Sequence, residues 1–201
     1  LLQKISQQMN KESKLKQNLY HDTIALGRKL YEDGKLSLWN TIYNKILSLL
    51  VRKKIGKRFG GRLVGLISGG AALNYDVGIS LYSLGIPIYQ GYGQTESGPV
   101  ISVNYPKNNK IDTVGKLLPN TIVKISDEGE ILVKGENIMN GYFKDHDATR
   151  NTFSGEWLKT GDIGTFDKDS YLVITDRMKD IIVNSGGDNI SPTKIESMLV
   201  M

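Results

Sequence analysis

Across residues 38–55 the apolar positions Trp39, Ile42, Tyr43, Ile46, Leu47, Leu50 and Val51 recur at spacings of three and four, the period of an amphipathic helix. The Gly60-Gly61 pair beyond it suits a helix C-terminus. Such a stripe packs against a core or, with a basic flank, lies on a membrane surface. Residues 63–67 read as a short buried strand leading into Ser68-Gly69-Gly70, residues 77–84 as a helix closed by Gly85, and residues 86–89 as a second strand. That strand–helix–strand order predicts a parallel sheet with helical crossovers. After the polar loop 104–112 the pattern changes. Residues 121–125, 130–133 and 171–174 alternate or run β-branched, with turns at Asp127-Glu128-Gly129 and Asp167-Lys168-Asp169, which predicts a small antiparallel sheet or barrel. Residues 181–184 read as a further strand, Ser185-Gly186-Gly187 as a turn, and Ser191-Pro192 as the N-cap and first position of a helix.

Hydrophobic residues make up 39% of the 201 and charged ones 23%, which excludes a mainly disordered chain. The longest apolar runs are too short to span a bilayer. With no Cys there is neither a disulfide scaffold nor a thiolate metal site, as suits a reducing, cytoplasmic setting. His21 and His146 are far apart, which argues against a His-built metal centre. The net charge of +5 is unevenly spread, since residues 1–62 hold 14 Lys and Arg against 4 Asp and Glu. Arg52-Lys53-Lys54 and Lys57-Arg58 form either a solvated helix face or a peripheral contact with anionic lipid through residues 38–58. No nucleic-acid motif accompanies them, and nucleic acid is not an expected partner. The chain begins with Leu and residues 194–201 run in mid-pattern, so an internal piece of a longer protein is expected.

Three segments are more particular than turns. Ser68-Gly69-Gly70-Ala71-Ala72-Leu73 follows a strand, where small residues let a flat or charged ligand reach the backbone, although a tight strand-to-helix turn explains it equally. Gln90-Gly91-Tyr92-Gly93-Gln94-Thr95-Glu96-Ser97-Gly98 fits neither a Rossmann fingerprint nor a Walker loop. It offers a ring between glycines, then a hydroxyl and a carboxylate, a set able to stack a base, bond a phosphate and hold Mg²⁺ through a hard oxygen. The alternative is a turn with a satisfied Glu. The third pairs Trp157-Leu158-Lys159-Thr160-Gly161-Asp162 with Thr175-Asp176-Arg177-Met178-Lys179-Asp180. Asp162 could accept both hydroxyls of a ribose with Arg177 beside it, or the two could simply form a salt bridge.

In order, Ser-Gly-Gly-Ala, Gly-Tyr-Gly-Gln-Thr-Glu, Gly-Glu-Ile-Leu-Val-Lys-Gly (129–135) with Met139-Asn140-Gly141-Tyr142-Phe143, Trp-Leu-Lys-Thr-Gly-Asp, Asp-Arg-Met-Lys-Asp-Ile-Ile and Ser-Gly-Gly-Asp-Asn-Ile-Ser-Pro resemble the adenylate-forming, AMP-binding superfamily. That superfamily holds acyl-CoA synthetases, luciferases and peptide-synthetase adenylation domains, and the wording is most similar to bacterial long-chain fatty acyl-CoA synthetases. The resemblance implies a two-step ligase with ATP, Mg²⁺ and the co-substrate CoA, in which a fatty acid carboxylate attacks the α-phosphate to give acyl-AMP and pyrophosphate and CoA then displaces AMP. It places Gly70, Ala71 and Ala72 with Gln90, Gly91, Tyr92 and Gly93 at the adenine and acyl-adenylate wall, Tyr92 against the base and Gln94 next to it. Thr95 would bond a phosphate and Glu96 would ligate Mg²⁺. Asp162 would hold the ribose, with Arg177 nearby; Lys179 would be the hinge, and Gly186 and Gly187 would line the CoA tunnel.

The implied fold is an α/β subdomain over 1–112, a β-rich subdomain over 113–178, and from 179–201 the hinge and start of a smaller C-terminal domain. Neither the superfamily's phosphate loop ending in Pro-Lys nor its late catalytic lysine occurs in these residues, so the isolated piece is expected to be inactive and poorly soluble. The alternatives are a medium-chain or aryl-CoA ligase, an acyl-carrier-protein ligase, a peptide-synthetase adenylation domain, or a non-catalytic nucleotide-binding module.

Overall fold

The computed structural model describes residues 1–180 and the strand backbone at 182–183 and 189–190. The turn expected at 185–187 and the helix start at Ser191-Pro192 lie outside the described residues. The chain forms two compact units, Leu1–Ile67 with Leu73–Tyr89, and Ser68–Ala72 with Gln90–Met201.

The first unit is mostly helical: α1 (Leu2–Met9), α2 (Lys14–Asp33), α3 (Leu38–Leu47), a π-helical turn over Ser48–Arg52, α4 (Lys53–Arg58), β1 (Leu66–Ser68) and α5 (Tyr75–Ser83). Side chains cap two of the helices, Ser37 Oγ accepting from the Asn40 amide and Asn74 Oδ1 from that of Val77. Leu81, Ile86 and Ile88 form its buried core, with Leu2, Ile55 and Val77 packed against them.

The helix expected at 38–55 is present, but its stripe divides. Leu47 is buried, with Tyr43, Val51 and Ile55 partly covered on the same side, whereas Trp39 (82% exposed), Ile42, Ile46 and Leu50 face outward. Of the two readings given for the stripe, packing on a core thus holds for part of it only. The wider π turn rotates the following residues and brings Arg52 inward. There its half-buried guanidinium donates to the carbonyls of Ser83 (2.7 Å), Asn44 (3.2 Å) and Thr23 (3.4 Å), joining α2, α3 and α5. Burial draws its pKa below the usual arginine value.

Gly27 on α2 is where α5 approaches. A Cβ there would lie 2.5 Å from Ser83 Cβ and 2.8 Å from Ser83 Cα. Alanine normally improves a helix by about 1 kcal/mol over glycine, and Gly56 in α4, with nothing within 4 Å of an added Cβ, is expected to behave so. Gly27→Ala is expected to do the reverse and destabilise by about 2 kcal/mol through overpacking. Thermal melting of the two variants of the full-length protein checks this, and equal shifts of the same sign would refute the close helix contact.

The second unit holds β2 (Ile88–Tyr92) from Gln90 onward, β3 (Ser102–Val103), β4 (Lys116–Leu117), β5 (Thr121–Ile125), β6 (Glu130–Gly135), α6 (His146–Thr152), β7 (Phe153–Ser154), β8 (Trp157–Phe166) and β9 (Leu172–Arg177). Strands β10 (Ile182–Val183) and β11 (Asn189–Ile190) form an antiparallel pair. The β2–β3 and β3–β4 ladders are antiparallel, Gly91 facing Val103 and Ser102 facing Leu117, and both lie beyond the 63–89 stretch for which a parallel sheet is expected. The antiparallel sheet expected after residue 112 is found, ordered β5–β6–β8–β7 with β9 also on β8. Ile131 and Val133 from β6, Leu172 from β9, and Ile101 and Val114 from the connecting loops make its core.

Candidate active site

The site residues of the second unit sit where regular pairing is interrupted. On β8, Glu130 of β6 faces Ile163 while Leu132 faces Lys159, so Thr160, Gly161 and Asp162 form a bulge. Gly161 takes φ +72°, a left-handed conformation that favours glycine. Three bonds hold the bulge: the Gly161 amide to Glu130 Oε1 (2.9 Å), Thr160 Oγ1 to the Ile131 carbonyl (2.8 Å), and the Asp162 amide to Thr160 Oγ1 (3.1 Å).

Asp162 is thereby brought to Arg177, expected beside it, and to Tyr92, a candidate site residue for which no contact with Asp162 is expected. The Tyr92 hydroxyl donates to Asp162 Oδ2 at 2.7 Å, and Arg177, its cross-strand neighbour on β9, places Nε 3.4 Å from Oδ1. The Asp162 side chain is only 14% exposed and that of Arg177 63%. An ion pair with one end so exposed contributes at most about 1 kcal/mol and leaves the guanidinium free to meet a ligand. Burial, reinforced by donation to Asp162, pushes the Tyr92 phenol far above its usual pKa, so it stays a donor. The salt-bridge reading of Asp162 and Arg177 and the ligand reading are therefore compatible.

The glycine-rich turn 68–72 lies against this strand end, a Cβ on Gly69 falling 3.5 Å from the Gly91 carbonyl oxygen. Gly70 is at φ +80° with open space around it, and Ala71 and Ala72 are exposed. Gln90 is buried and gives its amide to the carbonyls of Ile111 (3.1 Å) and Thr113 (3.3 Å), so its side chain secures the 111–113 loop. Gly91 and Gly93 allow close packing by Val103 and by the Pro99-Val100 backbone. Gln94 opens a 3-10 turn at Thr95–Ser97, its backbone bonded in both directions to the buried Ser97 hydroxyl. Thr95 is exposed at the start of this turn. The Glu96 carboxylate accepts at Oε1 from the Tyr142 phenol at 2.6 Å, which raises the Tyr142 pKa. Tyr142 and Asn137, whose amide donates to the carbonyls of Ser97 and Val100, had no role in the sequence reading; only the motif around Tyr142 pointed there. Lys179 is exposed in the turn after β9, and Gly186 and Gly187 lie outside the described residues.

No group of three or more His, Cys, Asp or Glu is gathered for a metal ion among the described residues, and Glu96 stands as a single outward carboxylate. That fits Mg²⁺ held by one carboxylate together with substrate phosphates better than a metal held in an all-protein cage.

The fold and its motifs are those of the adenylate-forming ligases. The chain belongs to the AMP-binding enzyme family, whose model matches residues 34–143, more than half of its length. It is 38% identical over 154 residues to the long-chain-fatty-acid–CoA ligase FadD15 of Mycobacterium bovis, covering 77% of this chain and 26% of that protein. It is also 38% identical over 173 residues to the 2-succinylbenzoate–CoA ligase of Listeria innocua, covering 85% of this chain and 36% of that one. Among solved structures it is similar to the O-succinylbenzoate coenzyme A synthetase of Bacillus subtilis in complex with ATP and magnesium, with 35% identity and a TM-score of 0.60 over 67% of this chain and 30% of that one. The chain thus spans roughly a quarter to a third of the length of these proteins.

Proposed function

We propose that this chain carries the nucleotide site of an AMP-forming acid–CoA ligase whose acid is a long-chain fatty acid. The observation that carries the reading is the Tyr92–Asp162–Arg177 cluster beside the glycine-rich strand end. A carboxylate with unused lone pairs suits the paired hydroxyls of a ribose, and the adjacent guanidinium suits ribose or phosphate oxygens. The Tyr92 ring lies against the base, and the turn 68–72 brings exposed backbone to the adenylate. Thr95 donates its hydroxyl to a phosphate oxygen. Glu96 holds Mg²⁺, which when bound spreads the charge of the phosphates and of the departing pyrophosphate.

No side chain in this set acts as a nucleophile. The substrate carboxylate attacks the α-phosphorus, the bond to the bridging oxygen of pyrophosphate breaks, and the acyl-AMP so formed is opened by the CoA thiol, releasing AMP. These residues contribute position and charge stabilisation. Lys179, just beyond β9, serves as the hinge of the small domain between the two steps.

Similarity to FadD15 supports a fatty acid, and the equal identity to a 2-succinylbenzoate–CoA ligase supports an aromatic acid as the second reading. Acid-dependent ATP–pyrophosphate exchange by the full-length protein, run from acetate to oleate and with 2-succinylbenzoate, separates them. The expected result is a maximum at long chains that Glu96→Ala abolishes. A maximum at 2-succinylbenzoate would replace the substrate, and no exchange with any acid would overturn the ligase reading.

A further inference from the structure

The segment 137–145 passes over the 94–98 turn and is tied to it at several points. Asn137 Nδ2 donates to the carbonyls of Ser97 (2.8 Å) and Val100 (2.9 Å), and the Met139 amide donates to the Glu96 carbonyl (2.9 Å). These bonds fix the backbone of Glu96. Its side chain is fixed separately, by the Tyr142 hydroxyl on Oε1 at 2.6 Å.

Tyr142 is itself held in place. Its amide donates to Thr149 Oγ1 (2.9 Å), and that hydroxyl donates to the Asp145 carbonyl (2.8 Å). Gly141 makes this approach possible, because a Cβ there would lie 2.7 Å from Thr149 Cγ2 and 3.0 Å from its Oγ1. The phenol therefore reaches Glu96 from a braced backbone, although the residue is 38% exposed. Among the described residues nothing bonds Glu96 Oε2.

We propose that Tyr142 is a positioning residue that occupies one oxygen of Glu96 and presents the other, Oε2, as a one-oxygen ligand to the magnesium of bound Mg–nucleotide. The inference rests on the ligase reading above. Magnesium demands near-octahedral placement of each oxygen and tolerates little rotation of its ligands. A free carboxylate turns about its last bond and offers either or both oxygens. A neutral donor on Oε1 ends that choice without adding a competing positive charge. Partners that orient a metal ligand in this way change metal affinity by roughly 10- to 100-fold when removed.

The test uses the full-length protein, with Mn²⁺ as the probe and a non-hydrolysable ATP analogue, bound metal being read by electron paramagnetic resonance. Metal-free AMP binding and thermal melting are measured alongside. Tyr142→Phe is expected to weaken Mn²⁺ binding in the ternary complex by about 10-fold, with AMP affinity and melting temperature unchanged. In the Glu96→Ala background the same substitution is expected to have no further effect on Mn²⁺, the signature of an action exerted through Glu96. Unchanged Mn²⁺ affinity in Tyr142→Phe would overturn the proposal, as would an equal loss with and without Glu96. A wild-type protein that binds neither AMP nor the analogue would remove the ligase reading and this inference with it.

Discussion

Asp162→Asn in the full-length protein is expected to weaken AMP binding about 100-fold while moving the melting temperature by only a few degrees. The carboxylate is mostly covered; the Tyr92 phenol takes one acceptor position on Oδ2, and Arg177 Nε stands 3.4 Å from Oδ1 as an ion-pair partner. The remaining lone pairs are available to both hydroxyls of a ribose. An amide keeps one acceptor oxygen and turns an NH₂ group toward a donor, either Tyr92 or a sugar hydroxyl. Hydrogen bonds to a charged group contribute about 1.5–3 kcal/mol each, so losing their charge and half of their acceptors costs about 3 kcal/mol, a factor of about 100 in affinity. The fold loses much less, because the amide oxygen can still accept from Tyr92 and the Arg177 side chain is largely in water. Titration calorimetry with AMP and a melting curve decide it. Unchanged AMP affinity would take the ribose away from Asp162.

Asp162 also shows which parts of the site were legible in the sequence. The motif Thr-Gly-Asp marked the position, and the strand read at 171–174 ends three residues before Arg177, which the structure places at the end of β9. The bulge that aims the carboxylate is not a property of that pattern. It depends on Thr160 and on a bond from the Gly161 amide to Glu130, a residue 31 positions away. The same is true of Gln90, which motif order places at the ligand wall but whose buried amide is committed to the 111–113 loop. Glu96 was visible as a carboxylate after a hydroxyl, whereas its partner Tyr142 lies 46 residues further on and touches it only through the tertiary fold.

The helical region shows the limit of hydrophobic period as a guide. The stripe at 38–55 announced a helix, and the helix is there, yet its larger residues Trp39, Ile42 and Ile46 face outward. The neighbouring α2 is not among the elements read from the pattern, and the residues it buries are Tyr20, Thr23 and Gly27, only one of them large. A glycine on the buried face signals close helix approach, and in α2 the three- and four-residue period belongs to small and polar residues. Period alone assigns secondary structure; which face is covered depends on the neighbour's shape.

Gly93→Ala is expected to be the most damaging single-methyl change in the site. The residue lies between β2 and the Thr95–Ser97 turn, and an added Cβ would sit 2.0 Å from the Pro99 carbonyl oxygen and 2.8 Å from Val100 Cα. Both obstacles are backbone atoms, so no side-chain rotation relieves the clash. The neighbouring Gly98 leaves little slack, since a Cβ there would already lie 2.7 Å from the Asn137 carbonyl oxygen. The strain must therefore be met by moving the turn itself, at a cost of about 3 kcal/mol, and the turn carries Thr95 and Glu96. A shift of about 1 Å in groups that position a reacting phosphate costs roughly 100-fold in rate, so exchange activity should fall further than stability. Gly155→Ala provides the contrast. It lies in the β7–β8 turn at φ +59° with nothing within 4 Å, so it should bear only the left-handed backbone cost of about 1–2 kcal/mol, with exchange activity kept. Scanning calorimetry and pyrophosphate exchange on the two full-length variants separate a steric lesion at the site from a conformational one outside it. If Gly93→Ala melted and turned over like the wild type, the Pro99-Val100 backbone could not pass as close to Gly93 as the structure places it.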